Sequence, residues 1–193
     1  MKDRFRDWNL YHKSVVAALV AFGVSIVVRL ILVIDAGFEI SEEAVLPYSA
    51  EAIWPWVTND ENRERWQAEL IDLQRLKGNE LENGATRLVF WKKQGKRWHA
   101  MEQTSEVLPG RVFATIQESD NDQRWFRIEL KPEGPCSTRV SISEVIRPKA
   151  YNARFWFFRE SGDHQEKWGT SLEALERWLG KRAPACVAEG GEP

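Results

Sequence analysis

Cysteine and histidine are scarce, and the acid and base residues are not segregated. Cys136 and Cys186 lack the C-x-x-C spacing and the neighbouring histidines of a zinc site, so no metal is expected. The two could pair in an oxidising compartment, although Cys186 stands in a Gly- and Glu-rich tail. A formal net charge of -2, a pI near 6.0 and no run of five or six like charges leave no basic footprint for a polyanion. Nucleic acid is therefore not an expected partner. There is no G-x-S-x-G, P-loop, G-x-G-x-x-G or H-E-x-x-H motif, and no cysteine with a partnered histidine. No catalytic residue and no cofactor are identified, and enzymatic activity stays an open question.

Hydrophobic residues make up 43% of the 193 positions, which suits one domain of about 140 to 150 residues with appendages. Ten tryptophans supply large apolar area, for a solid core or for the walls of a cavity. Residues 15–34 read VVAALVAFGVSIVVRLILVI. Such a run of about 20 residues, as a helix, spans about 30 Å, a bilayer's hydrocarbon thickness. Its Val, Leu, Ile and Phe side chains, at about -0.3 to -0.6 kcal/mol each, outweigh Arg29 at about +2.5 to +3.5 kcal/mol. A transmembrane helix is expected; a cleaved signal peptide and a buried soluble element are the alternatives. Lys2, Arg4, Arg6 and Lys13 precede the run, whereas no Lys or Arg occurs between Asp35 and Asn62. This places residues 1–14, with His12, as a cytoplasmic flank and the domain outside, in a bacterium the periplasm. Ala17, Ala21, Ser25 and Arg29 share a helical face that could pair two copies as a homodimer.

Beyond Gly37 the pattern changes. FEISEEAVLP reads as an opening strand, and a helical pair follows, capped at Ser49 and restarted at Asn59-Asp60 to end at Trp66. Strand-like stretches occupy 69–77, 86–92, 97–107, 112–118, 124–130 and 138–147, separated by turn residues such as Gln94-Gly95-Lys96 and Pro109-Gly110. Residues 151–179 carry apolar or small side chains at helical spacing, from Phe157 through Trp168 to Leu179, as one amphipathic helix bent at Gly162. Residues 181–193 read as a disordered tail.

The stretch PYSAEAIWPWVTNDENRERWQ, the Ser-Thr-Arg-Val strand and the terminal SLEALERWL resemble the START-like superfamily, which includes polyketide cyclases and lipid-transfer domains. The resemblance runs from about Phe38 to Gly180. It implies an α+β helix-grip fold, an antiparallel sheet wrapped around a long C-terminal helix, here preceded by one transmembrane helix. It further implies a cavity for an apolar small molecule or lipid, and a function in holding or passing that ligand beside a membrane. The alternatives are a cyclase- or dehydratase-like enzyme and a structural or partner-binding domain with a filled core.

Alternation within the strands suggests which polar groups share an inward face. Trp98, Ala100 and Glu102 form one set, Ala114, Ile116 and Glu118 a second, and Val140, Ile142 and Glu144 a third. Most such carboxylates mark the point where a strand leaves the core, and Glu144 is the best exception. Inside an apolar pocket desolvation would raise their pKa. The expected cavity lining is Phe90, Trp98, Ala114, Ile116, Phe126, Ile142, Glu144, Phe157, His164 and Trp168. His99 reads as solvent-facing. The run Phe155-Trp156-Phe157-Phe158 covers every side of a helix, so some rings could gate the cavity or touch a bilayer.

Overall fold

Local signals dictate how the first strand turns into the first short helix. The Ser49 side chain accepts from the Ala52 N–H, and Asn59 does the same for Asn62, which caps two successive helices. Pro47 cannot donate to a ladder and ends the preceding strand. The computed structural model describes the backbone of residues 2–35 and 37–182, and the side chains of residues 12–28, 37–150 and 162–182.

The chain divides into two compact units, Met1–Gly37 and Phe38–Pro193. The first holds one helix, α1 (Lys2–Asp35), on which Val15, Leu19, Phe22 and Val27 are exposed. Among the described residues no helix is long and apolar enough to cross a membrane. The remainder of the expected span, Arg29 included, lies outside the residues whose side chains are described.

The second unit runs β1 (Phe38–Leu46), α2 (Ala50–Thr58), α3 (Asp60–Trp66), β2 (Leu70–Lys77), β3 (Thr86–Lys93), β4 (Lys96–Leu108), β5 (Val112–Glu118), β6 (Asp122–Gly134), β7 (Ser137–Pro148) and α4 (Tyr151–Arg182). The strands form one antiparallel sheet in the order β1-β7-β6-β5-β4-β3-β2, a meander whose last strand returns to pair with the first. The β3–β4 hairpin turns through Gln94 and Gly95, both at positive φ (48° and 82°), the twist that a two-residue hairpin requires. Irregular register at Leu70/Asp72, Thr104/Glu106 and Pro132/Gly134 bends the strands, as bulges do. Helix α4 is one continuous helix through Gly162.

The concave face of the sheet and α4 share the main core. Phe38, Leu46, Phe113, Ile128, Val140, Ile142 and Ile146 meet Trp168, Leu172, Leu175 and Leu179 there. Helices α2 and α3 close one end, where the Trp66 indole N–H donates to the Trp56 carbonyl at 2.7 Å and Trp56 stacks on Trp178 at 6.2 Å. Each such large side chain contributes about 1.5–3 kcal/mol by leaving water. A smaller core of Leu70, Val89, Trp91 and Ala100 lies towards the β2 edge, with half-buried Trp98 against it.

Candidate functional site

The interior between sheet and α4 is unusually charged, and the strand register explains which groups arrive there. In β7 the inward residues are Val140, Ile142, Glu144 and Ile146, and in β6 they are Arg124, Phe126 and Ile128. Glu144 accepts the Trp168 indole N–H at 2.7 Å and faces the Arg124 guanidinium at 3.5 Å. Arg124 donates in turn to Asp122 at 2.7 and 3.1 Å. The Phe126 ring lies 5.0 Å from that of Trp168, so Glu144 touches α4 across an aromatic pair. Lys167, beside Trp168 on α4, is only 5% exposed, and its ammonium sits 4.4 Å from the Trp91 ring and 4.2 Å from the Trp168 ring.

These placements set the proton affinities. Burial alone would push Glu144 up, but the charges of Lys167 and Arg124 and the Trp168 hydrogen bond bring it below the ordinary carboxylate range. Burial pushes Lys167 down, against the opposing pull of Glu144. His164 is pushed down to about 4, chiefly by burial, and so is neutral at neutral pH. A pocket of about 270 Å³ opens beside this cluster, lined by Glu69, Lys93, Asp163, Glu166, Lys167 and Thr170 among others. Glu69 reaches it from a backbone at φ 71°, a left-handed conformation that non-glycine residues adopt only when held. It is held by the Lys92 N–H, which donates to its carbonyl at 2.8 Å. Burial pushes the Glu69 carboxyl up. One turn on, the Ser171 hydroxyl donates to the Lys167 carbonyl at 2.7 Å and accepts the Ala68 N–H at 2.9 Å, which ties the helix to the same strand entrance.

A second buried cluster lies nearer α3. Arg63 donates to both oxygens of Glu102 at 2.7 and 2.9 Å, and all exposed surface of both residues is lost. Thr115 and Gln117 also donate to Glu102, while Arg87 bonds Asp60 at 2.7 Å and Thr104 at 2.8 Å. The Phe113 ring lies beneath both guanidinium groups. Although burial would raise Glu102, Arg63 draws it below the ordinary value. Every oxygen here is occupied by a neighbour, which makes this cluster a brace between α3 and the sheet.

The structure brings together Phe126, Ile142, Glu144 and Trp168, with His164 half-buried and within electrostatic reach of Glu144. Trp98 is inward but belongs to the smaller core. Three expected lining residues do not join them. Phe90 pairs with His99, and its ring meets that histidine 6.2 Å away on the convex face. Ile116 pairs with Gln103, and Ala114 with Arg127, in phase with exposed Glu118 and opposite to Glu102. The physical reason is that VFATIQ is apolar on both faces, so its own alternation does not set its phase; pairing with β4 does. Glu118 instead meets Lys149 at the surface. The expectation that inward carboxylates would have raised pKa values is also reversed for Glu102 and Glu144, because buried cations accompany them, Arg63 the first and Lys167 with Arg124 the second. Phe157 and the Phe155–Phe158 run lie outside the residues whose side chains are described. Cys136 is disulfide-bonded, a state that the sequence alone leaves open, and Cys186 lies outside the described residues.

Sequence reasoning missed Lys167, Arg124, Arg63 and Arg87. Each is a long cation of a kind that is rarely buried without a partner, and the partner comes from another part of the chain. Among the described residues no three His, Cys, Asp or Glu side chains are grouped to hold a metal ion.

Solved structures similar to this chain include a START superfamily protein from Mycobacterium smegmatis, 18% identical, with a TM-score of 0.62 over 74% of this chain and 99% of that one. A protein from Thermus thermophilus is 17% identical, with a TM-score of 0.62 over 76% of this chain and 100% of its own. Ara h 8.0201 is 12% identical, with a TM-score of 0.58 over 75% and 99%. No family model and no curated protein matches the sequence. At such identities the likeness concerns the backbone, and with the sheet order and terminal helix it shows that the second unit has an α+β helix-grip fold.

Proposed function

We propose that the domain binds a hydrophobic small molecule or lipid between the concave face of its sheet and α4, and that α1 tethers it to a membrane. One observation carries the binding reading: the aromatic side chains of Trp91, Trp168 and Phe126 converge beside a pocket at the sheet-helix seam. Helix-grip neighbours of similar size lend support at the level of fold. The tether reading rests on the apolar run at 15–34 and on the helical continuity of Lys2–Asp35. The domain side is proposed to be extracytoplasmic, from the basic residues before the run and the disulfide at Cys136.

An enzymatic role for Glu144 is less well supported. A carboxylate held below its ordinary pKa, with Trp168 and Arg124 already on its oxygens, is a poor proton donor. The binding reading is tested by solvent extraction of the purified full chain and mass spectrometry of the extract. A stoichiometric apolar molecule is expected. An extract matching that of an unrelated membrane-tethered protein, together with no uptake of apolar fluorophores, overturns the reading.

A further inference from the structure

Lys167 has a buried ammonium whose hydrogen-bonding capacity is unused. It contacts the rings of Trp91 and Trp168, but among the described residues it makes no hydrogen bond and no ion pair. The residue is only 5% exposed, yet its Nζ is not among the fully buried side-chain atoms left without a partner, so its donors open onto the pocket it lines. The other cations of the concave face each meet a carboxylate, Arg63 that of Glu102 (its Nε alone lacking a partner), Arg87 that of Asp60 and Arg124 that of Asp122. Lys93, on the same pocket, meets Asp163 at 3.2 Å and Glu69 at 3.9 Å.

We propose that the pocket bounded by Lys167, Lys93 and Thr170 receives the carboxylate of an amphipathic ligand. The indole faces fix the ammonium while leaving its donors to the pocket, and Thr170 brings a hydroxyl to the same lining. The size fits a head group: about 270 Å³ is below what a whole lipid or drug-sized molecule fills. The surrounding charges select a single negative charge over a phosphate. Glu69, Asp163 and Glu166 line the same pocket, and a doubly charged group would meet all three. Asp163 and Glu166 are exposed and screened, Asp163 is already paired with Lys93, and burial favours the neutral form of Glu69. This assignment rests on the binding reading above and specifies the chemistry of one end of the ligand.

The test compares 11-(dansylamino)undecanoic acid with its methyl ester, using the full chain in phosphatidylcholine nanodiscs and subtracting protein-free nanodiscs. The acid is expected to bind about tenfold tighter than the ester, as one charge-assisted contact would give. Lys167→Met should abolish that preference, so that acid and ester bind alike. Should this variant lose its cooperative melt, Lys167→Gln takes its place, and the acid-to-ester ratio of the unsubstituted chain decides in either case. Equal binding of acid and ester, or a preference that survives loss of the ammonium, overturns the carboxylate assignment and leaves the apolar-ligand reading standing. If neither probe binds above empty nanodiscs, both readings fall.

Discussion

The indole N–H of Trp168 and the carboxylate of Glu144 meet at 2.7 Å, and this contact joins the terminal helix to the strand that completes the sheet. Trp168→Phe keeps most of the ring and removes the donor. The charged oxygen then loses a partner in a site with little water, so a loss of about 1.5–3 kcal/mol is expected. Urea unfolding followed by circular dichroism measures it, and an unchanged midpoint would show that water replaces the indole.

The half-buried imidazole of His164 makes a pH prediction. Its folded pKa is about 4, below the ordinary 6.5, so between those values the unfolded chain binds a proton that the folded chain does not. Stability therefore falls as pH drops from about 6.5 towards 4. His164→Gln should flatten that part of the melting-temperature profile. The drop below it should remain, because Glu144 and Glu102 have lowered pKa values and their contributions persist above the ordinary carboxylate range and vanish as acid protonates them.

Arg63 and Glu102 offer a test of the brace. Arg63→Met strands a fully buried carboxylate and should cost about 3–5 kcal/mol. Adding Glu102→Leu removes the stranded charge, and much of the loss should return. Additive losses in this double-mutant cycle would contradict the pairing.

Much of this fold could be read from residues. Ser49 and Asn59 announce two helix starts, Gln94-Gly95 a hairpin, and alternation in VSISEVI supplies the inward phase of β7 that holds Glu144. The failures arise where local pattern is silent. In β3 and β5 both faces are apolar, so alternation puts Phe90, Ala114 and Ile116 on the wrong side, and only long-range register decides. Arg63, Arg87 and Lys167 look like solvated cations until the partner that buries each, Glu102, Asp60 or a pair of indoles, is brought in from elsewhere in the chain.

Gly78 and Gly84 should respond differently to alanine. Both have positive φ, 79° and 87°, but a Cβ on Gly78 would lie 2.9 Å from the Ala85 backbone, whereas at Gly84 the nearest atom is the Gln103 side chain at 3.9 Å. Gly84→Ala should cost about 1 kcal/mol, the strain of its conformation alone. Gly78→Ala should cost more, and equal melting temperatures for the two variants would refute the close approach.

The proposed topology is tested by an alkaline phosphatase fused after Pro193 in a bacterial host. Activity is expected under the proposed orientation, in which Lys2, Arg4, Arg6 and Lys13 would hold the start of α1 on the cytoplasmic side. An inactive fusion, with a cytoplasmic reporter active at the same junction, would reverse the orientation.

The antiparallel ladder of β1 has one partner, β7, with Phe38 opposite Ile146 and Leu46 opposite Thr138. During synthesis β1 leaves the ribosome before α2, yet its apolar residues Phe38, Ile40 and Leu46 have no ladder until nearly the whole domain has followed. Closure of the sheet thus waits for the last strand and has a large loop entropy to overcome, and folding is slow relative to that of a helical protein of this length. In the interval β1 is an unpaired apolar strand, open to pairing with another copy.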